Sequence, residues 1–351
     1  MNCRERVEAA LDHREPDHTP IFEYVLLSPL ADQFLGRPYA VDAGWEPLLQ
    51  ELGWERAVRQ RAIDQLDLAV LLGHDLLYVV PNPPPTTPMN HAVGSDTCLD
   101  PVEVLQQRND RTAQSPPPGD DTFLVYAALN EEMTRRDLDL PILAPAYGHG
   151  VWTDTDLMQA MVLAPDVAAT HFHLATRRCL SRIDRFLALG VDLYGVGGDF
   201  AGQRPMISPA MYRQFIMPEI RQLSRHIHAA GGRAVNASDG DLWPVIDDFL
   251  LGCEVDAYLE IDLHAGMDLR RLKRAYGDRI TFFGNLDCGN TLSFATPEVV
   301  TQHVTDCLRA GAGSGGHILC ASNAITASVP LHNYLALIAA HRSFFGLPAF
   351  S

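Results

Sequence analysis

The stretch Gly197–Pro218, GGDFAGQRPMISPAMYRQFIMP, decides how this chain is read. An apolar strand pattern runs into two glycines and Asp199, crosses a polar loop and enters a helix at Ser208 and Pro209. Ser208 can accept from the first free helical N–H groups. Pro209 has no N–H to satisfy and already holds a helical φ, so the pair marks a helix start. The stretch therefore delivers an acid at the carboxyl end of a strand, ahead of a helix, which is the unit from which α/β active sites are assembled.

The same unit recurs along the chain. Apolar runs rich in Val, Ile, Leu, Phe and Tyr predict eight strands, at Pro20–Tyr24, Asp75–Val80, Pro141–Ala146, Val191–Val196, Arg233–Ala237, Val255–Ile261, Ile280–Asn285 and His317–Ala321. Helical spacing of apolar residues fills the intervals, as at Pro165–Leu189, Met211–Ala230, Pro297–Arg309 and Leu331–Phe345. Alternation of strand and helix predicts parallel pairing, and eight units predict an α/β fold of the (β/α)8 TIM-barrel type, with an open doubly wound sheet as the alternative. The 351 residues, 47% of them hydrophobic, suffice for one large core, so residues 1–351 are read as a single domain.

Charge narrows the partners. Against 27 Lys and Arg stand 44 Asp and Glu, a formal charge of −17, which repels a phosphate backbone and disfavours nucleic acid or an anionic membrane as a general partner. No apolar run approaches the roughly 20 residues that span a bilayer, and the N-terminal MNCRERVEAALDHREPDHTP lacks the apolar core of a signal peptide, so the expected location is the cytoplasm. The seven cysteines show no CxxC spacing and are expected as reduced thiols. From Pro81 to Gly119 the rhythm breaks at PNPPPTTP and QSPPPGD. These prolines predict a long ordered insertion after the second strand, with at most a short helix near Pro101–Gln107, placed on the face where barrel loops carry the site or, on the plainer reading, a surface flap or a subunit contact such as a homodimer would use.

In a barrel, the residues to inspect are those at strand carboxyl ends. They are Glu23 and Tyr24, Tyr147 and His149, Asp199, then Asn236, Ser238 and Asp239, then Glu260, Asp262 and His264, then Asn285 and Asp287, and finally Asn323. Any one of these Asn or Asp residues also has a plain reading as a helix cap or turn former. Nucleotide-binding, serine-hydrolase and zinc-protease motifs are absent, and Gly195–Gly202 lacks the dinucleotide spacing. The glycine-rich AGAGSGG precedes a strand instead of opening a helix, which favours a flexible connection over a phosphate site. His171, His173, His226 and His228 sit inside helical patterns and are read as packing or surface groups.

From Arg4 onward the chain resembles the uroporphyrinogen decarboxylase superfamily, which also contains cobalamin-dependent methyltransferases. The resemblance is carried by Asp199 with ISPAMYRQFIMPEI, by GGRAVNASDG, by HAGMDLRRLKRAYGDRITFFGNLD and by GGHILCASNAITASVP, in matching order over about 150 residues. It implies a (β/α)8 barrel with its active site in the cleft at the strand carboxyl ends. The departures choose the branch. Where the decarboxylases resemble R-Q-A-G-R after the first strand, this chain reads EYVLLSPLADQF, and their histidine after the eighth strand falls on Asn323. A polyanionic porphyrinogen then has no evident cationic anchor.

The resemblance to thiol-methylating members implies a zinc held by H-x-C after the fifth strand and a cysteine after the eighth. Here those positions are Asn236, Ser238 and Asn323, whose neutral oxygens are poor zinc donors, so no metal is expected. Without zinc to hold a thiol of pKa ~8.5 as thiolate, coenzyme M and homocysteine become unsuitable acceptors. The expected activity is a methyl transfer between a small molecule and a corrinoid (cobalamin) carried by a partner protein. Asp199, Asp239 and Glu260 are the candidate catalytic acids, and Glu23, Tyr24, Tyr147, His149, Asn236, Ser238, Asn285, Asp287 and Asn323 are the candidate substrate-binding residues. Two alternatives stay open: decarboxylation of a small organic acid or tetrapyrrole, and ligand binding without catalysis.

Overall fold

A computed structural model describes residues 1–41, 44–85 and 100–350. Seven strands lie in chain order in one parallel sheet: β1 Leu77–Tyr78, β2 Ile142–Pro145, β3 Leu193–Gly197, β4 Arg233–Ala237, β5 Ala257–Leu259, β6 Thr281–Phe283 and β7 His317–Ile318. Helices separate them, and none among the described residues is long and apolar enough to cross a membrane.

The first of the eight expected strands, Pro20–Tyr24, is not a strand. It holds one parallel bridge, Ile21 to Leu319, with the Phe22 N–H donating to the Leu319 carbonyl at 3.1 Å. On its other side the Asp75 N–H donates to the Ile21 carbonyl at 2.8 Å. Two local features keep the ladder from growing. Pro20 has no N–H, and the Ile21 N–H is taken by the Asp75 carboxylate at 3.0 Å instead of by a backbone carbonyl. Asp75 is held in turn by Arg6.

Side-chain alternation sorts the strand residues into two layers. Phe22, Leu76, Leu143, Leu193, Val235, Ala237, Ala257, Leu259, Phe283, Ile318 and Cys320 form one buried cluster on the inner face of the curled sheet. Their neighbours Ile21, Leu77, Ile142, Ala144, Tyr194, Val196, Ala234, Tyr258, Phe282 and Leu319 belong to the larger cluster beneath the helices. The N-terminal helix Cys3–Leu11 joins the inner cluster through Val7, Ala10 and Leu11, and its Ala10 carbonyl accepts from Gly316 N–H at 2.8 Å. That helix stops the amino end of the sheet and leaves the carboxyl end open.

The helix that opened the sequence reading starts as expected. Ser208 accepts from the Met211 N–H at 3.2 Å, and Pro209 occupies the first turn. It then passes through a π turn at Tyr212–Ile216 before resuming at Met217–Ala229, since Pro218 cannot donate to the ladder. The Pro-rich stretch needs a correction. Residues 86–99 lie outside the described residues, but the short helix expected near Pro101–Gln107 runs over Pro101–Gln114. Asp100 caps it, Leu105 is buried, and Arg108 forks onto Asp154 at 2.9 and 2.6 Å. This tertiary support lengthens a helix that composition alone makes look marginal.

Candidate active site

Acids and tyrosines from separate strands meet at the open, carboxyl end of the sheet. Asp199 follows β3, where the backbone approaches its neighbour so closely that a Cβ on Gly198 would sit 2.7 Å from the Gly150 nitrogen. Only glycine fits there, and its φ of +138° confirms the need. The Asp199 carboxylate accepts the Asp239 N–H at 3.1 Å, while its carbonyl accepts from Val151 and Trp152 at 2.8 and 2.9 Å. The loops after β2, β3 and β4 are thereby locked together.

Asp239 and Glu260 are the chemically unusual members. Burial, then the neighbouring charges of Asp199 and Asp262, push the Asp239 carboxyl up to about 7. Burial, then Asp239 and Asp199, push Glu260 up to about 8. Like charges this close cannot all ionise at neutral pH, so the site carries exchangeable protons. Glu260 also has φ +72°, a left-handed backbone that a residue with a Cβ rarely adopts.

A hydrogen-bonded chain organises the acids. The Tyr24 hydroxyl donates to Asn323 Oδ1 at 3.0 Å, and Asn323 Nδ2 donates to Asp239 Oδ2 at 2.6 Å. Tyr24, Tyr78 and Tyr147 pack against the top of the inner cluster. The Tyr24 and Tyr78 rings meet edge to face at 5.5 Å. Burial, and next the acids, hold the Tyr24 phenol far above its ordinary value, so it stays a donor. A cavity of about 360 Å3 opens beside this group, lined by Trp152, Asp199, Asp239, Asp262, His264, Asp287, Cys288, Ser322 and Asn323. Among the described residues lining it there is no lysine or arginine.

Several expected site residues lie elsewhere. Glu23 alternates with Phe22 and Tyr24, so it turns to the helix side, where it accepts from the Ala321 N–H at 3.1 Å and burial pushes it to about 8 beside Tyr334. His149 is fully buried, bonded through Nε2 to Thr176 Oγ1 at 2.8 Å and stacked on Phe172; burial lowers it to about 4. Asn236 shares the outward face of β4 with Ala234 and donates to the Phe249 carbonyl at 3.0 Å. Asn285 donates to the Met267 carbonyl at 3.3 Å and its Oδ1 faces Cys307. Ser238 is buried, with its hydroxyl on the Asp239 carbonyl at 3.0 Å.

Asp287 reaches the cavity but also has a structural duty. It accepts from the N–H groups of Asn290 and Thr291, both at 3.0 Å, and pairs with His264 at 3.0 Å. Burial raises its pKa, but the Thr291, Asn290 and His264 contacts outweigh burial and hold it below the usual range. The expectation of Asp199, Asn236, Asn285 and Asn323 facing one cavity is thus half corrected: Asp199 and Asn323 line it, and the other two do not. Sequence reasoning missed Tyr78, although its period-2 relation to inward Leu76 was readable, and missed Trp152, Cys288 and Ser322.

With this geometry in hand, comparison with known proteins adds a lineage. The family model described as uroporphyrinogen decarboxylase (URO-D) matches residues 145–344. Curated uroporphyrinogen decarboxylases of Coxiella burnetii, strains Dugway 5J108-111 and RSA 331 / Henzerling II among them, are 25% identical over 186 residues, covering 51% of this chain. The match takes in 48% of those relatives, so the chain spans about half the length of the curated proteins it matches. The solved structure of a methyltransferase from Methanosarcina mazei superposes with a TM-score of 0.71 at 16% identity, covering 98% of this chain and 99% of that one. That last likeness concerns the fold.

Proposed function

The chain belongs to the uroporphyrinogen decarboxylase family, and from that premise we propose that it is an enzyme moving a methyl group between a small molecule and a corrinoid on a partner protein. We read the sheet as a (β/α)8 barrel in which the Pro20–Tyr24 segment is the first stave, its hydrogen bonds to both sheet ends supporting that closure. The carrying observation is the acidic mouth, where Asp239 and Glu260 hold exchangeable protons and no lysine or arginine lines the adjoining cavity among the described residues.

Such a mouth repels the carboxylates of a porphyrinogen and accepts a neutral or cationic molecule. The structural likeness to the Methanosarcina methyltransferase supports the same branch. A methyl group leaves only when the electron pair of its bond returns to the heteroatom that held it. The heteroatom must then carry positive charge beforehand or receive a proton. Asp239 and Glu260 serve either need, by balancing that charge when ionised or by giving the proton they hold. Asn323 fixes Asp239, and Tyr24 fixes Asn323. A reduced corrinoid on the partner protein would supply the electron pair for the new bond.

Zinc has no part in this reading. Asn236 is turned to the helix layer, the Ser238 hydroxyl is spent on a carbonyl, and Asn323 Oδ1 accepts from Tyr24 and from the Ala324 N–H at 2.7 Å, so the three are not a donor set that fits the metal. The test is incubation of the purified chain with cob(I)alamin and a panel of methylated ammonium, ether and thioether compounds. Loss of cob(I)alamin absorbance matched by a demethylated product is the expected result. Carbon dioxide release from an acid without any methyl transfer, or tight ligand binding without either, would overturn the proposal.

A further inference from the structure

We propose that the small molecule is a permanent cation, a quaternary methylammonium compound, held by its trimethylammonium head between Tyr24, Tyr78, Tyr147 and the carboxylates of the mouth. The role of this ligand as methyl donor rests on the methyltransferase reading; its binding does not.

Three observations converge. Aromatic rings stand beside the acids: Tyr24, next to Glu260 and Asp239, meets Tyr78 edge to face at 5.5 Å in a cleft shared with Arg61, Tyr78 and Tyr147 line a second cleft with Arg182, and Trp152 lies half in solvent on the rim of the acidic cavity. Ring faces attract a diffuse cation that has no N–H to donate, as protein cages for quaternary ammonium groups do. Negative charge surrounds those rings from several strand ends, with Asp199 after β3, Asp239 after β4, and Glu260 and Asp262 after β5. The charge is spread around the rim: among the described residues no three His, Cys, Asp or Glu side chains are placed to hold a metal ion. A dispersed ring of acids suits a large soft cation better than a small hard one, which demands converged oxygens. Finally, the chain carries −17 overall, which raises the local concentration of cations and disfavours anionic substrates.

The transfer balances. The N–CH3 bond breaks, its electron pair stays on nitrogen to give a neutral tertiary amine, and the methyl goes to the reduced corrinoid, which provides the bonding pair. No proton is required, so the acids act by holding positive charge.

The test compares choline with its neutral isostere 3,3-dimethylbutan-1-ol by calorimetry on the full chain without corrinoid. Choline should bind at least 10-fold more tightly than the isostere. Tyr78→Leu should weaken choline about 10-fold, while Tyr78→Phe, which keeps the ring, should restore most of the affinity. Choline binding should also strengthen from pH 6 to pH 8.5. Asp239 and Glu260 set this dependence, and the charged groups around them and the rings are Asp199, Asp262, the His264–Asp287 pair, Arg61 beside Tyr24 and Tyr78, and Arg182 beside Tyr78 and Tyr147. Equal binding of the isostere, no choline binding by a folded chain, or weaker binding at high pH would overturn the inference. Demethylation of an aryl ether without choline binding would overturn it and leave the methyltransferase reading standing. Choline binding without methyl transfer would do the reverse.

Discussion

Asp239→Asn should make the protein more stable at alkaline pH and leave it unchanged in acid. In the folded chain burial, Asp199 and Asp262 raise the Asp239 carboxyl from its ordinary 3.8 to about 7. A carboxyl raised on folding binds more protons folded than unfolded between those two values. Its ionisation therefore opposes folding increasingly as pH climbs, with the whole penalty present above about 7. Three decades of proton affinity correspond to about 4 kcal/mol. Because the side chain is only half-buried at the mouth, solvent screening reduces this to about 2 kcal/mol.

The 2.6 Å bond from Asn323, charge-assisted while Asp239 is ionised, is already contained in that raised value. At pH 8.5 the variant should thus unfold about 2 kcal/mol harder than the parent, and at pH 3, below the unfolded value, the two should agree within about 0.5 kcal/mol. Urea unfolding at both pH values and fixed ionic strength reads the difference from the midpoints. An equal effect at the two pH values, or a variant less stable at pH 8.5, would refute the account of why the acid is protonated.

Three further outcomes are expected. Asp199→Asn should lower turnover by roughly 10²-fold with little change in melting temperature, because its charge tunes both raised acids; unchanged turnover removes it from the mechanism. Asn323→Ala cuts the links to Tyr24 and Asp239 at 3.0 and 2.6 Å and should raise the Asp239 pKa further, read by carbon-13 NMR of labelled aspartate. Phe283→Ala, which deletes a fully buried inner ring stacked edge to face on Phe22 at 5.7 Å, should destabilise by about 3–5 kcal/mol in urea, with a loss under 1 kcal/mol counting against the inner-core assignment.

Strand order and the gathering of the candidate residues at strand carboxyl ends were legible, because buried parallel strands read as continuous Val, Ile and Leu runs. The direction of each side chain was legible only where the pleat is regular. In β4 the alternation of Val235 and Ala237 inward puts Asn236 outward, and the same rule turns Glu23 away from the mouth between Phe22 and Tyr24. Where the backbone leaves the pleat the rule fails. Leu259 points inward, so regular alternation would send Glu260 outward, but its φ of +72° brings it beside Asp239. Asn285 shows the converse: after inward Phe283 it would return to the inner face, yet Gly284 at φ +142° diverts it toward Met267 and Cys307. No residue pattern announces either twist. The ordered helix Pro101–Gln114 was hidden for another reason, since its support comes from Asp154 and the Val167 carbonyl far along the chain.

The way this chain treats its other acids argues that the mouth is kept for use. Asp75 is paired with Arg6, Asp64 with Arg37 at 2.6 Å and Asp154 with Arg108 at 2.6 Å. At these three places the fold supplies an arginine to a carboxylate withdrawn from water. At the mouth Asp239 and Glu260 receive none, and their burial makes each harder to ionise. Glu260 adds a left-handed backbone, which costs on the order of 1–2 kcal/mol. Repulsion among these acids is relieved if a cation enters, because it lowers the energy of their ionised forms without any rearrangement of the scaffold. The missing arginine is then supplied by the ligand.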